Sequence, residues 1–165
     1  MPGPTIRNLA LAAVSLGALC AVPAFAQIPV VPPEFGVSDR VTILIAHAEG
    51  AQVYQCKAGA WVFREPIATL ISDGKTIGRH YAGPNWELTD TSRVTGKVAA
   101  NAPGATVRDI PQLKLDVIDH SGEGKLKDAT IVLRIDTHGG ALTGSCTEPD
   151  SYRSMPYSAD YVFLR

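Results

Sequence analysis

The sequence carries none of the short motifs that announce a common chemistry. No G-x-G-x-x-G follows a strand pattern and no β-α-β alternation is visible, which excludes the usual dinucleotide-binding fold. No G-x-S-x-G elbow presents a serine nucleophile, and Ser145 only precedes a cysteine. No C-x-x-C pair offers a redox dithiol. The four histidines, His47, His80, His120 and His138, form no H-x-H or H-x-x-x-H pair, the spacing that sets two metal ligands on one element. An excess of charge is also missing: fifteen basic residues stand against sixteen acidic ones, with a formal net charge of −1. Such a balance leaves no electrostatic footprint for nucleic acid or an anionic membrane. Helical periodicity over three turns, internal repeats and low-complexity tracts are absent downstream of the N-terminal region.

What is present begins with an expected signal peptide over residues 1–26. Arg7 supplies the positive region, Leu9 to Val22 the apolar run and Ala24-Phe25-Ala26 the small-x-small site, so cleavage falls before Gln27. The product is then exported, to the periplasm or the medium. A membrane anchor is the weaker alternative, because the run is too short for a hydrocarbon core about 30 Å thick and Pro23 ends it. A lipid on Cys20 is disfavoured by Leu19 before it, where lipoprotein processing wants a small side chain. Cleavage leaves 139 of the 165 residues, enough for one domain. Pro29, Pro32 and Pro33 predict an extended segment over 27–38, with the single domain over 39–165.

Cys56 and Cys146 are the cysteines left after processing, so an oxidising compartment predicts one disulfide with one possible connectivity. Between and around them the pattern is strand after strand: Val41 to His47, Gln52 to Cys56, Trp61 to Arg64 and Thr76 to Tyr81. Leu113, Leu115 and Val117 alternate with Lys114 and Asp116, the period of a half-buried strand. Ala129, Ile131, Leu133 and Ile135 repeat the pattern against Thr130, Arg134 and Asp136, predicting a strand over Lys127 to Asp136 with its oily face on the core. Tyr157, Ala159, Tyr161 and Phe163 repeat it again. Ser121-Gly122-Glu123-Gly124 suits a hairpin loop, whereas Gly83 to Ser92 and Thr137 to Ser145 look like surface connections. The expected fold is all-β, an antiparallel β-sandwich or small β-barrel with one disulfide.

The densest polar and aromatic cluster is His80 to Glu87, followed by Asp90 and Ser92. His80, Trp86 and Glu87, with His138 and Tyr157 at other glycine-rich turns, are the candidate ligand-binding residues, since flat rings beside hydrogen-bonding groups suit a small molecule or glycan. Tyr81 is a further aromatic candidate. The competing expectation is a strand-end corner in which Trp86 packs inward and His80 satisfies a backbone carbonyl. Trp61 and Phe63 sit in a short apolar strand and are assigned to the core. Glu87, Asp90 and Asp160 are the carboxylates available for acid–base work, and His80 with His138 is the pair that distant strands could bring to one metal ion. No catalytic residue, metal ligand or cofactor is assigned.

Six motifs occur in order along the chain: Gly50-Ala51-Gln52-Val53-Tyr54-Gln55-Cys56, Trp61-Val62-Phe63, His80-Tyr81-Ala82-Gly83-Pro84-Asn85-Trp86, Ile110-Pro111, Thr137-His138-Gly139-Gly140 and Pro156 to Phe163. In these the chain resembles the domain of unknown function 3455 family of secreted bacterial and fungal proteins. Thr91 departs from a family tendency to Asp-Gly-Ser, and Gln112 from Ile-Pro-Trp, which puts in doubt any stacking role there. The resemblance implies no activity, and a malate dehydrogenase label borne by some relatives finds no support in these residues. The expected function is a non-catalytic small-molecule or carbohydrate binding domain, or an envelope-associated one. The alternatives are an extracytoplasmic hydrolase using His80 with Glu87 or Asp160, and a metal-binding protein.

Overall fold

The computed structural model describes residues 30–165; the expected leader, its cleavage site and Cys20 lie outside the described residues. After a 3-10 turn at Pro33–Phe35 come eight strands: β1 (Thr42–Lys57), β2 (Ala60–Ser72), β3 (Lys75–Tyr81), β4 (Asn85–Leu88), β5 (Arg93–Ala102), β6 (Gln112–Ser121), β7 (Ile131–Gly139) and β8 (Tyr152–Leu164). Each pairs with the next, and β1 pairs with β8 to close the sheet into an antiparallel barrel. Closure removes the unpaired edges that an open sheet must otherwise protect. Of the two expected architectures, the chain takes the barrel.

Alternation builds the interior. Leu115 of β6, Tyr157, Ala159, Tyr161 and Phe163 of β8, and Leu44, Ala46 and Ala48 of β1 belong to one buried cluster, with Leu113 and Val117 packed against it. The connection from β6 to β7 is longer than the expected hairpin because Leu126 and Ala129 turn inward to join that cluster. Asp90 ties the plug in place by accepting hydrogen bonds from Ser92 N at 2.9 Å, Ser92 Oγ at 2.6 Å and Lys125 N at 2.7 Å. Ser92 Oγ in turn accepts from Leu126 N at 3.2 Å. Asp90 thus serves loop architecture.

β7 buries its oily face as expected, but in a cluster separate from the barrel interior. Ile131, Leu133 and Ile135 belong to a second buried cluster, with Phe35, Ala102, Val162 and Leu164, on the outside of the barrel wall. Residues 30–38 are therefore not a bare linker: Phe35 is 1% exposed, Val31 and Val37 pack beside it, and Lys114 Nζ donates to the Phe35 carbonyl at 3.1 Å. Val132, on the face that the sequence pattern marks as wet, lies in the inner cluster. Arg134 shares its side of the strand, paired across β8 with the inward-facing Tyr161. Because both faces of β7 are covered, period-2 alternation cannot say which one is inside.

Other expected boundaries move as well. The two segments predicted over 41–56 form one sixteen-residue strand. β4 lies within the stretch predicted as the surface connection 83–92, and β7 runs to Gly139 through the start of the second one. Phe63 is half-exposed and Trp61 only partly buried under the Arg153 guanidinium, which lies 5.0 Å from its ring centroid; the core assignment fails for both. The reason is that this part of β2 has β1 on one side and no β3 on the other. Cys56 and Cys146 form the predicted disulfide across 90 residues of sequence. A loop of that order corresponds to roughly 4 kcal/mol of chain-entropy stabilisation at the upper end.

Candidate functional site

Unequal strand lengths leave a window in the barrel wall. β3 pairs with β2 over Ala68 to Ser72, and β4 pairs with β5 over Arg93 to Thr95. Above those levels β2 and β5 face each other across a gap closed below by the β3–β4 turn at Gly83 and Pro84. A cavity of about 220 Å³ opens there, walled by Phe63, Pro84 and Val98 at the rim and by Pro66, Trp86, Leu115, Tyr161, His80 and Arg134 inside. Phe63 and Val98 are each half-exposed, so the rim is apolar and open to solvent.

His80 and Trp86 are directly opposed across β3 and β4. Their rings stack at 4.5 Å with planes 7° apart, and Tyr161 closes on both, 4.9 Å from His80 and 5.3 Å from Trp86. Trp86 can lie flat against β5 because the facing residue is Gly96: a Cβ there would meet the indole at 3.0 Å and Leu115 at 3.1 Å. That glycine also weakens the strand pattern of 93–102, which is why β5 is not legible in the sequence.

The polar atoms of the window are incompletely satisfied. His80 Nδ1 donates to the Asn85 carbonyl at 2.8 Å. Burial pushes its pKa down to about 3, against the effect of the Asn85 bond and with a further push from Arg134, so the ring is neutral. A neutral ring that donates through Nδ1 presents a bare lone pair at Nε2. The Trp86 Nε1–H is buried without an acceptor, as is the Gln52 side-chain nitrogen elsewhere in the core. Arg134 donates from Nε at 3.1 Å and Nη2 at 2.8 Å to the Pro111 carbonyl, which fixes the guanidinium. No carboxylate of the described residues lies within 4.0 Å of it.

The five candidate residues do not share one site. His80 and Trp86 meet in the window, in the inward-packed, carbonyl-satisfied geometry of the competing expectation. Glu87 points outward, where Arg79 at 3.0 Å and the Tyr81 hydroxyl at 2.8 Å donate to it. Those bonds, Tyr81 foremost, hold its carboxyl below the usual range. Tyr157 is buried deeper, its hydroxyl 3.3 Å from that of Tyr161 and burial raising its pKa. His138 is exposed, lies 3.2 Å from Asp136, and borders a separate groove with Pro32, Pro33 and Gln112. Asp160 also faces out, bonded to His47 at 2.8 Å. Among the described residues no three acidic, histidine or cysteine side chains gather as a metal site would require.

A family profile described as a protein of unknown function, DUF3455, matches residues 37–165. The chain belongs to the DUF3455 family. No curated protein and no solved structure matches it significantly. The DUF3455 match spans every strand of the barrel, so the window lies within the family domain. Arg134 is the window residue that sequence reasoning missed. Two signals bore on it: Val132 among supposedly wet positions, and the Ile110-Pro111 motif, whose Pro111 carbonyl receives the guanidinium.

Proposed function

We propose that this protein is an exported, non-catalytic binding protein that holds a small molecule in the window between β2 and β5. The observation that carries the proposal is the cavity itself, a concave and mostly apolar site with a few convergent polar groups, the usual anatomy of a ligand pocket. Small eight-stranded barrels have interiors of the size that holds one small ligand. Export accords with the disulfide, which persists in oxidising compartments. Hydrolysis by His80 with a carboxylate draws no support from the geometry, because Glu87 and Asp160 are on the outer face while His80 is on the inner one. Metal binding draws none either, since His80 and His138 border different cavities.

The test is a fragment screen by thermal shift, repeated on Val98→Trp, which adds bulk at the exposed rim. Binding to the native state raises the melting temperature by mass action. Fragments that stabilise the parent protein and not the variant locate the site in the window. Fragments that stabilise both equally, with the variant's own melting temperature unchanged, place binding elsewhere and overturn the proposal.

A further inference from the structure

We infer that the window takes a small apolar monocarboxylate, its anionic end on Arg134 and its body against Trp86, Leu115 and the Phe63–Val98 rim. The inference rests on the binding role proposed above and adds the chemical class. Arg134 is the deciding residue. Its Nε–Nη2 edge is spent on the Pro111 carbonyl, which leaves the end-on edge, Nη1 with the second Nη2 hydrogen, free of any carboxylate. That edge matches a carboxylate with two parallel hydrogen bonds, and such charge-assisted pairs are the strong ones. The other arginine at the rim, Arg64, is already engaged by Glu65 at 3.2 Å and lies 5.0 Å from the Tyr152 ring centroid.

Size and charge narrow the class. A dry cavity of about 150 Å³ accepts one benzene ring, so about 220 Å³ leaves room for a ring and a carboxylate and little more. His80 is neutral in this site, so the interior offers one positive charge and favours a single negative one. The remaining lining is Leu113, Leu115, Trp86, Pro66 and Tyr161, with Pro84 and Val98 nearer the rim; the Tyr161 hydroxyl faces that of Tyr157 at 3.3 Å, so the site lacks the dense donors and acceptors that a neutral sugar needs.

Isothermal titration of the protein with benzoate, benzylamine, toluene and glucose at neutral pH tests this. Benzoate should bind with one-to-one stoichiometry and at least tenfold more tightly than benzylamine, toluene or glucose. Arg134→Met should weaken benzoate at least tenfold while leaving toluene unchanged, and Arg134→Lys should give an intermediate loss. Circular dichroism checks that each variant keeps the parent fold; if Arg134→Met unfolds, Arg134→Lys and the ligand series decide. Toluene or glucose binding that Val98→Trp abolishes, with benzoate no better than either, overturns the carboxylate and leaves the window site standing. If none of the four probes binds, or if benzoate binds Arg134→Met as it binds the parent, the inference falls.

Discussion

The two faces of β7 are opposite in kind. Its outer face, Ile131, Leu133 and Ile135, is sealed under Phe35 and the N-terminal segment. Its inner face carries Val132 and then Arg134, in the chamber that also holds a neutral histidine and an indole N–H without an acceptor. Three of the strand's apolar residues lie outside the barrel wall, whereas Arg134 lies inside beside Val132. The sealed face adds stability through burial alone. On the inner face the burial of Val132 is offset by a charge and unpaired polar atoms in a half-closed chamber, which cost free energy. On the proposed reading, stability and recognition are divided between the two sides of one strand.

The largest effect that tests this division is on the sealed side. Phe35→Ala should destabilise by about 3–5 kcal/mol, the usual range for deleting a buried phenyl ring, while the folded fraction binds window ligands as before. Urea denaturation measures it. A loss under about 1 kcal/mol would mean that the N-terminal segment only drapes over the wall, and the contrast between the faces would shrink.

On the inner side the expected signature is pH dependence. His80 takes up a proton near 6.5 when unfolded and only near pH 3 in the barrel. Its folded pKa is depressed, so the unfolded chain binds the extra proton: stability is full above about pH 6.5 and is lost as pH falls toward 3. At about 1.4 kcal/mol per pH unit, lowering the pH from 7 to 4.5 should cost the parent on the order of 2–3 kcal/mol more than it costs His80→Gln. Equal losses in parent and variant, read from urea midpoints at both pH values, would place His80 in water and reopen the chamber's assignment.

The smallest effect concerns the turn that ties the inward-packed β6–β7 connection in place. Thr91 has φ +72°, a left-handed conformation that a β-branched residue adopts at a cost. Thr91→Gly should stabilise by up to about 1 kcal/mol without touching ligand affinity, after subtraction of glycine's extra chain entropy. A variant less stable than the parent would show that the threonine side chain contributes contacts beyond its backbone.

How much of this was legible depended on how many faces a strand buries. β6 and most of β8 bury one alternating set inside the barrel, so Leu113, Leu115, Tyr157, Ala159, Tyr161 and Phe163 were readable from spacing alone, although the end of β8 also buries Val162 and Leu164 on its outer face. β7 buries both faces: its oily face is buried as the alternation implies, but the face read as wet also holds the buried Val132. Barrel closure was not readable, because the sandwich and the barrel use the same alternation and differ only in which strands meet last. The His80–Trp86 cluster was found by composition, and its partner Arg134 was missed because an arginine among alternating residues reads as solvent-facing. Glu87 is one residue from Trp86 and therefore on the opposite face of the same short strand, a consequence of period 2 that sequence proximity conceals.

The barrel is closed by its first and last strands. His47 and Asp160, hydrogen-bonded partners in that seam, lie 113 residues apart, and the backbones of Val41 and Arg165 exchange two hydrogen bonds at its end. A chain delivered from its N-terminus keeps β1 without one neighbour until β8 arrives, so the seam forms last and across the longest loop. Topologies dominated by such distant pairings fold on the order of milliseconds to seconds. Until then both β1 and β7 present open edges to any extended chain nearby. The same seam that leaves the finished barrel edgeless makes the unfinished one vulnerable to mispairing.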